Sequence, residues 1–102
     1  DSVDIEVRPG ETVEIALSNY RLKLYPGQRF RVTDEEGAIH ILGAGKSIIG
    51  RHSGADIVVT SENRTISRKH LMIEPVSPTR VKLTDLSSHG TSLPVHFVNS
   101  LQ

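Results

Sequence analysis

Apolar and polar residues alternate along much of this chain with a period of two. Val13, Ile15 and Leu17 stand against Glu14 and Ala16, and Tyr20, Leu22 and Leu24 stand against Arg21 and Lys23. Such alternation marks strands with one buried face. Arg8-Pro9-Gly10-Glu11 reads as a turn, because Pro presets φ and Gly accepts positive φ. Ser18-Asn19 reads as a second tight connection, and Pro26-Gly27 closes the block. Phe30 and Val32 then alternate with Arg29 and Arg31, leading to a polar tip at Asp34-Glu35-Glu36-Gly37, after which Ile39, Ile41 and Leu42 return as a strand. Farther along, Ile57-Val58-Val59, Leu71-Met72-Ile73 and Val81-Lys82-Leu83 are too short for helices and lie between loops rich in Ser, Gly, Arg and His. No segment keeps a helical apolar period over 11 residues. The pattern predicts an all-β chain whose loops carry its polar chemistry.

Composition narrows this picture. A length of 102 residues with 36% apolar content suits one domain around one core, and the absence of Cys rules out disulfides and a thiolate metal site. Absence of Cys fits a reducing compartment, so the expected location is cytoplasmic. No apolar run approaches the ~20 residues that span a bilayer, so no membrane partner is expected. The chain opens on Asp rather than Met, which leads to the expectation that it is a segment of a longer protein.

Net charge is zero but uneven. Residues 1–45 hold eight acids and five bases, net −3, whereas residues 46–70 hold five bases and two acids, net +3. A local basic patch on a neutral protein points to a small anionic ligand rather than to nucleic acid, whose backbone calls for a larger basic face.

Two enzymatic readings fail on spacing. Gly43-Ala44-Gly45-Lys46-Ser47 resembles a phosphate-binding P-loop only superficially, since that loop needs a Gly where His40 stands and must open a helix. Here Ile48-Ile49-Gly50 follows, β-branched and then broken by Gly. The histidines at 40, 52, 70, 89 and 96 lack the HExxH spacing of a metal site. Ser67 and His70 stand three apart, but in a loop entering a strand rather than on one helical face, so they order a loop rather than form a nucleophile and base. No enzyme, metal or cofactor is expected.

What remains are three polar signatures in order: Gly50-Arg51, Ser67-Arg68-Lys69-His70, and Asp85-Leu86-Ser87-Ser88-His89-Gly90-Thr91. Their order and spacing resemble the forkhead-associated (FHA) domain, a phosphothreonine-binding β-sandwich. The resemblance implies an all-β, two-sheet sandwich of the FHA/SMAD-like type, with roughly eleven short strands and its binding loops at one end. It also implies a phosphopeptide site made by Arg51, Ser67, Arg68, Ser88 and His89, with Gly50, His70 and Gly90 as structural support. Arg51 suits phosphate because its planar fork offers several N–H donors, Ser67 because a small hydroxyl approaches closely, and Arg68 because it adds charge. Phosphothreonine should be preferred to phosphoserine, since its methyl restricts χ1 and can fill a small apolar niche. Around the site, Ser61 to Ile66 and the residues after Ser87 would read the flanking sequence; Arg64 reads first as a solvated surface side chain and secondly as a hint of an acidic residue in the partner.

There are two departures from the family pattern. An Asn usually precedes the Gly-Thr and grips the peptide main chain; His89 stands there instead, and imidazole lacks the paired donor and acceptor of an amide. The grip should therefore be weaker, pH-dependent or altered in selectivity. Secondly, Pro94-Val95 replaces the expected Asn-Gly and only eleven residues follow Thr91, too few to finish two sheets. Residues 1–25, with a Pro-Gly-acid turn, a strand, a tight connection and another strand, look like that missing end. The expectation is a single domain over residues 1–102, in which 1–25 replace the C-terminal strands and 29–98 form the main FHA-like region. Such a chain is circularly permuted, or exchanges the segment with a partner as a homodimer; alternatively, 1–25 belong to a preceding β domain. Functionally, the rival to a phosphothreonine-binding module is a phosphate-independent interaction or oligomerisation sandwich with a degenerate site.

Overall fold

A computed structural model describes residues 1–59 and 65–99. The alternating stretches form strands β1 (Ser2–Glu6), β2 (Val13–Leu17), β3 (Tyr20–Tyr25), β4 (Arg31–Thr33) and β5 (Ile39–Ile41). The later apolar runs form β6 (Ser47–Gly50), β7 (Ile57–Val58), β8 (Leu71–Pro75), β9 (Arg80–Asp85) and β10 (Thr91–Ser92), followed by a short helix α1 (Val95–Asn99). Two five-stranded sheets result, ordered β1-β9-β8-β6-β7 and β10-β2-β3-β4-β5. All neighbours are antiparallel except β6 and β7. This is a β-sandwich.

The described residues hold ten strands and one helix where roughly eleven strands were expected. After β10 the chain turns into α1, because Pro94 has no N–H to give a ladder and its fixed φ suits the entry to a helix. Phe97 N–H donates to the Pro94 carbonyl at 3.1 Å, and the Phe97 ring is buried.

Period two decides which side chains fill the space between the sheets. In β2 and β3, Val13, Ile15, Leu17, Tyr20, Leu22 and Leu24 face inward. They share one core with Ile49, Ile57, Leu71 and Leu83 of the opposite sheet. The β5 strand turns the other way. His40 lies opposite buried Val32, and opposed residues share a face, so His40 points inward and Ile39 and Ile41 point to solvent. His40 Nε2 meets Asp34 Oδ2 at 3.0 Å. Burial works against the Asp34 charge, but this imidazole and the amides of Ala38 and Glu36 hold its carboxyl below the usual range.

Residues 1–25 enter both sheets. β1 pairs with β9 along its whole length, β2 pairs with β10, and β3 pairs with β4. The Asp85 amide donates to the Asp1 carbonyl at 3.0 Å. Asp1, Ser2 and Val3 line one cleft together with Thr91 and Leu93, so the start of the chain lies beside the segment that follows β10. These pairings are made within one chain.

Register gathers the polar loops. Ile49 pairs with Leu71, Leu71 with Asp85, Thr91 with Leu17, and Leu17 with Tyr20. The ends of β6, β9 and β2 and the starts of β8, β10 and β3 therefore lie together. Residues 51–56, 65–70, 86–90 and the turn Ser18–Asn19 all emerge at that end.

Candidate functional site

The loops of this end are tied backbone to backbone before any side chain acts. Arg51 N–H donates to the Ser67 carbonyl at 3.1 Å and His52 N–H to the Arg68 carbonyl at 3.0 Å. Gly50 makes this approach feasible: a Cβ there would sit 2.1 Å from the Arg68 carbonyl oxygen and 2.9 Å from that of Ser67. Both are backbone atoms, so any larger residue would push the two loops apart.

His70 is fully buried and joins the second loop to the third. Its Nδ1 accepts the Ser67 N–H at 3.0 Å, which leaves the proton on Nε2 to be donated to the Gly90 carbonyl at 2.9 Å. Its own N–H goes to the Ile49 carbonyl, and its carbonyl receives Leu86 N–H. Every polar group of this residue is used to hold neighbouring elements. Gly90 itself has φ +95°, a conformation that side-chain-bearing residues rarely adopt.

The third loop has its own brace. Asp85 Oδ1 accepts the Ser87 amide at 3.0 Å, the Ser87 hydroxyl at 2.6 Å and the Thr91 hydroxyl at 3.0 Å. The Ser87 Oγ in turn accepts the Gly90 N–H at 2.7 Å. Burial alone would raise the Asp85 carboxyl, yet these Ser87 and Thr91 donors hold it below the ordinary value of 3.8. Asp85 and Ser87 belong to the third polar signature, and their role is to brace it. The Asp-x-Ser spacing, a side chain bonding its backbone two residues on, was the available signal.

On this frame the expected ligand residues take up separate positions. Arg51 is exposed, and its guanidinium is less free than the sequence suggested: Nε donates to the Ile66 carbonyl, which holds the side chain along the second loop. Ser67 is half-buried, and its Oγ accepts the Ser88 N–H at 3.1 Å. The Ser67 hydroxyl therefore also joins two loops, and its proton has no acceptor among the described residues. Arg68, Ser88 and His89 are exposed at the rim. Arg64 and most of the loop expected to read flanking sequence, residues 60–64, lie outside the described residues.

Among the described residues the ion pairs are Arg21–Glu14, Arg80–Glu6 and His40–Asp34, and none involves Arg51, Arg68 or Lys69. Three cations thus stand within two adjoining loops without an ion-pair partner among the described residues. The cleft lined by Gly27 to Phe30, Leu42 to Ala44 and Pro75 to Pro78 is at the other end of the sandwich and contains none of these residues.

The β2–β3 turn also reaches the site. Ser18 N–H donates to the Gly90 carbonyl at 3.3 Å, and the hydroxyls of Ser18 and Thr65 share a 2.6 Å bond. Nothing in the sequence pointed to this contact, because 47 residues separate Ser18 from Thr65.

Comparison with known families gives one match: a model described as FHA domain covers residues 47–102, just over half of the chain. No curated protein and no solved structure matches.

Proposed function

Because the chain belongs to the FHA family, whose domains are phosphopeptide-binding modules of signalling proteins, we propose that it is a phosphothreonine-dependent peptide-binding module without catalysis of its own. The observation that carries this reading is the group of cations Arg51, Arg68 and Lys69, without ion-pair partners among the described residues, on two loops locked together at Gly50 and Ser67. A dianionic phosphate at this rim receives charge-assisted bonds from the Arg51 fork and a hydrogen bond from the Ser67 hydroxyl, with Arg68 adding positive charge. Ser88 and His89, on the facing loop, contact the peptide beside the phosphate. Because His70 has spent both ring nitrogens on Ser67 and Gly90, its part is to hold the loops.

The same reading extends to the layout of the chain. Residues 1–102 act as one domain in which residues 1–25 take the place of strands that would follow β10. The pairings β1–β9 and β2–β10 are those that a permuted order makes within one chain. Sedimentation should therefore give a monomer; a dimer that dissociates on dilution would favour exchange.

The decisive experiment is calorimetric titration with a phosphothreonine peptide, its phosphoserine analogue and its unphosphorylated twin. Binding is expected for the first, weaker binding for the second and none for the third. Arg51→Ala should cost roughly 2–5 kcal/mol of binding, as for one half of a desolvated charge pair. Equal affinity for the phosphorylated and unphosphorylated peptides would instead favour a phosphate-independent interaction domain, the outcome that His89 in place of an amide would accompany.

A further inference from the structure

We infer that the β2–β3 turn is a built part of the phosphopeptide site, and that Ser18 is the positioning residue through which residues outside the family match fix both ligand loops. The inference rests on the phosphopeptide reading above. Ser18 makes two bonds to two different loops: its amide to the Gly90 carbonyl at 3.3 Å, and its hydroxyl to the Thr65 hydroxyl at 2.6 Å. The Gly90 carbonyl is therefore shared between the amide of Ser18 and the imidazole of His70. Thr65 lies two residues before Ser67, and Gly90 two residues after Ser88. One turn thus holds the loop that bears Ser67 and Arg68 against the loop that bears Ser88 and His89.

Ser18 accepts strained geometry to do so. It is the one non-glycine with positive φ among the described residues, at +58°. A residue other than Gly, Asn or Asp in this region is unfavourable unless its surroundings hold it there. Gly would relieve the backbone but would lose the hydroxyl. A serine held in this conformation keeps both the sharp turn and the bridge to Thr65. The bridge reduces the ordering that the two loops must undergo when a peptide binds, which is how a residue that does not touch ligand raises affinity.

The test uses the full chain and the phosphothreonine peptide. Ser18→Gly keeps the amide and suits the positive φ, so it removes the hydroxyl alone; Thr65→Val removes the other partner, and Thr65→Ser restores it. Each loss should weaken phosphopeptide binding roughly 2- to 10-fold, the range for one net hydrogen bond. The double variant should be no weaker than the worse single one, and Thr65→Ser should stay near wild type. In the unliganded protein, amide exchange at Ser88 and Gly90 should quicken in Ser18→Gly. Unchanged affinity in Ser18→Gly would overturn the inference, including the case in which only the melting temperature falls. If wild type fails to distinguish the phosphorylated peptide from its twin, the functional reading falls, and exchange alone then judges the clamp: faster exchange supports it and unaltered exchange overturns it.

Discussion

The loop that enters β8 carries two kinds of residue side by side. Arg68 and Lys69 are exposed and without ion-pair partners among the described residues, while His70, next in the chain, is fully buried with both ring nitrogens bonded. The same division runs through the whole site. Gly50, His70, Asp85, Ser87 and Gly90 form a brace whose bonds go to the protein, and Arg51, Arg68, Ser88 and His89 form a rim whose side chains reach solvent. Losing a brace residue should reduce stability and binding together, because it leaves buried polar groups unpaired and frees the loops. Losing a rim residue should reduce binding alone. Arg51 and Ser67 belong partly to both, through their bonds to Ile66 and Ser88.

The largest effect expected is from removing the support under both groups. Deleting residues 1–25 takes away β1, β2 and β3 and eight buried side chains from Ile5 to Leu24. Each is worth about 1.5–3 kcal/mol when buried, so together they come to about 12–24 kcal/mol, comparable to or above the 5–15 kcal/mol that typically separates a folded domain from its unfolded chain. Circular dichroism should show an unfolded or insoluble chain. A truncated protein that remains soluble with its full β signal and binds phosphopeptide would show the segment to be an appendage.

His70→Ala tests the brace directly. It leaves a cavity and strips partners from the Ser67 amide and the Gly90 carbonyl, at a cost of about 3–5 kcal/mol in denaturant unfolding, with phosphopeptide binding lost as well. Undiminished stability with binding abolished would move His70 to the rim.

Asp85→Asn probes a smaller part of the brace and carries a pH signature. The folded-state carboxyl lies below its ordinary value of 3.8, so the charged form stabilises the fold above that pH, and this contribution is lost as pH falls through the folded value. The variant should therefore be about 1–2 kcal/mol less stable near neutrality, as expected for weakened charge-assisted bonds, and the difference should shrink as pH falls below 3.8 through the folded value. A difference that does not shrink on acidification would mean that the charge is not what Ser87 and Thr91 stabilise.

The smallest effect is expected at one rim residue, His89. His89→Asn restores a donor–acceptor pair for a peptide main chain and should tighten phosphopeptide binding by about 1 kcal/mol with no change in melting temperature. Weaker binding in the variant would mean that the imidazole makes a contact of its own.

The amino-acid order by itself determined the strands and their inward faces, because period-two alternation is local: Val13, Ile15, Leu22 and Leu24 need no distant partner to be read as one face. Turns set by one or two residues, such as Pro9-Gly10 and Ser18-Asn19, were legible for the same reason, and so were the three polar signatures, each contained in a few consecutive residues. Only the tertiary structure decided what those residues do to one another. It turned Ile39 and Ile41 to solvent, since the register of β5 against Val32 places His40 inward. It placed Val95–Asn99 in a helix, and it bound the Arg51 guanidinium to Ile66 and the Ser67 hydroxyl to Ser88. The contact of Ser18 with Thr65 and Gly90 depends on the sheet registers that bring the end of β2 beside β10. A hydrogen bond between residues tens of positions apart leaves no period or spacing in the chain, so it exists only once the strands have paired.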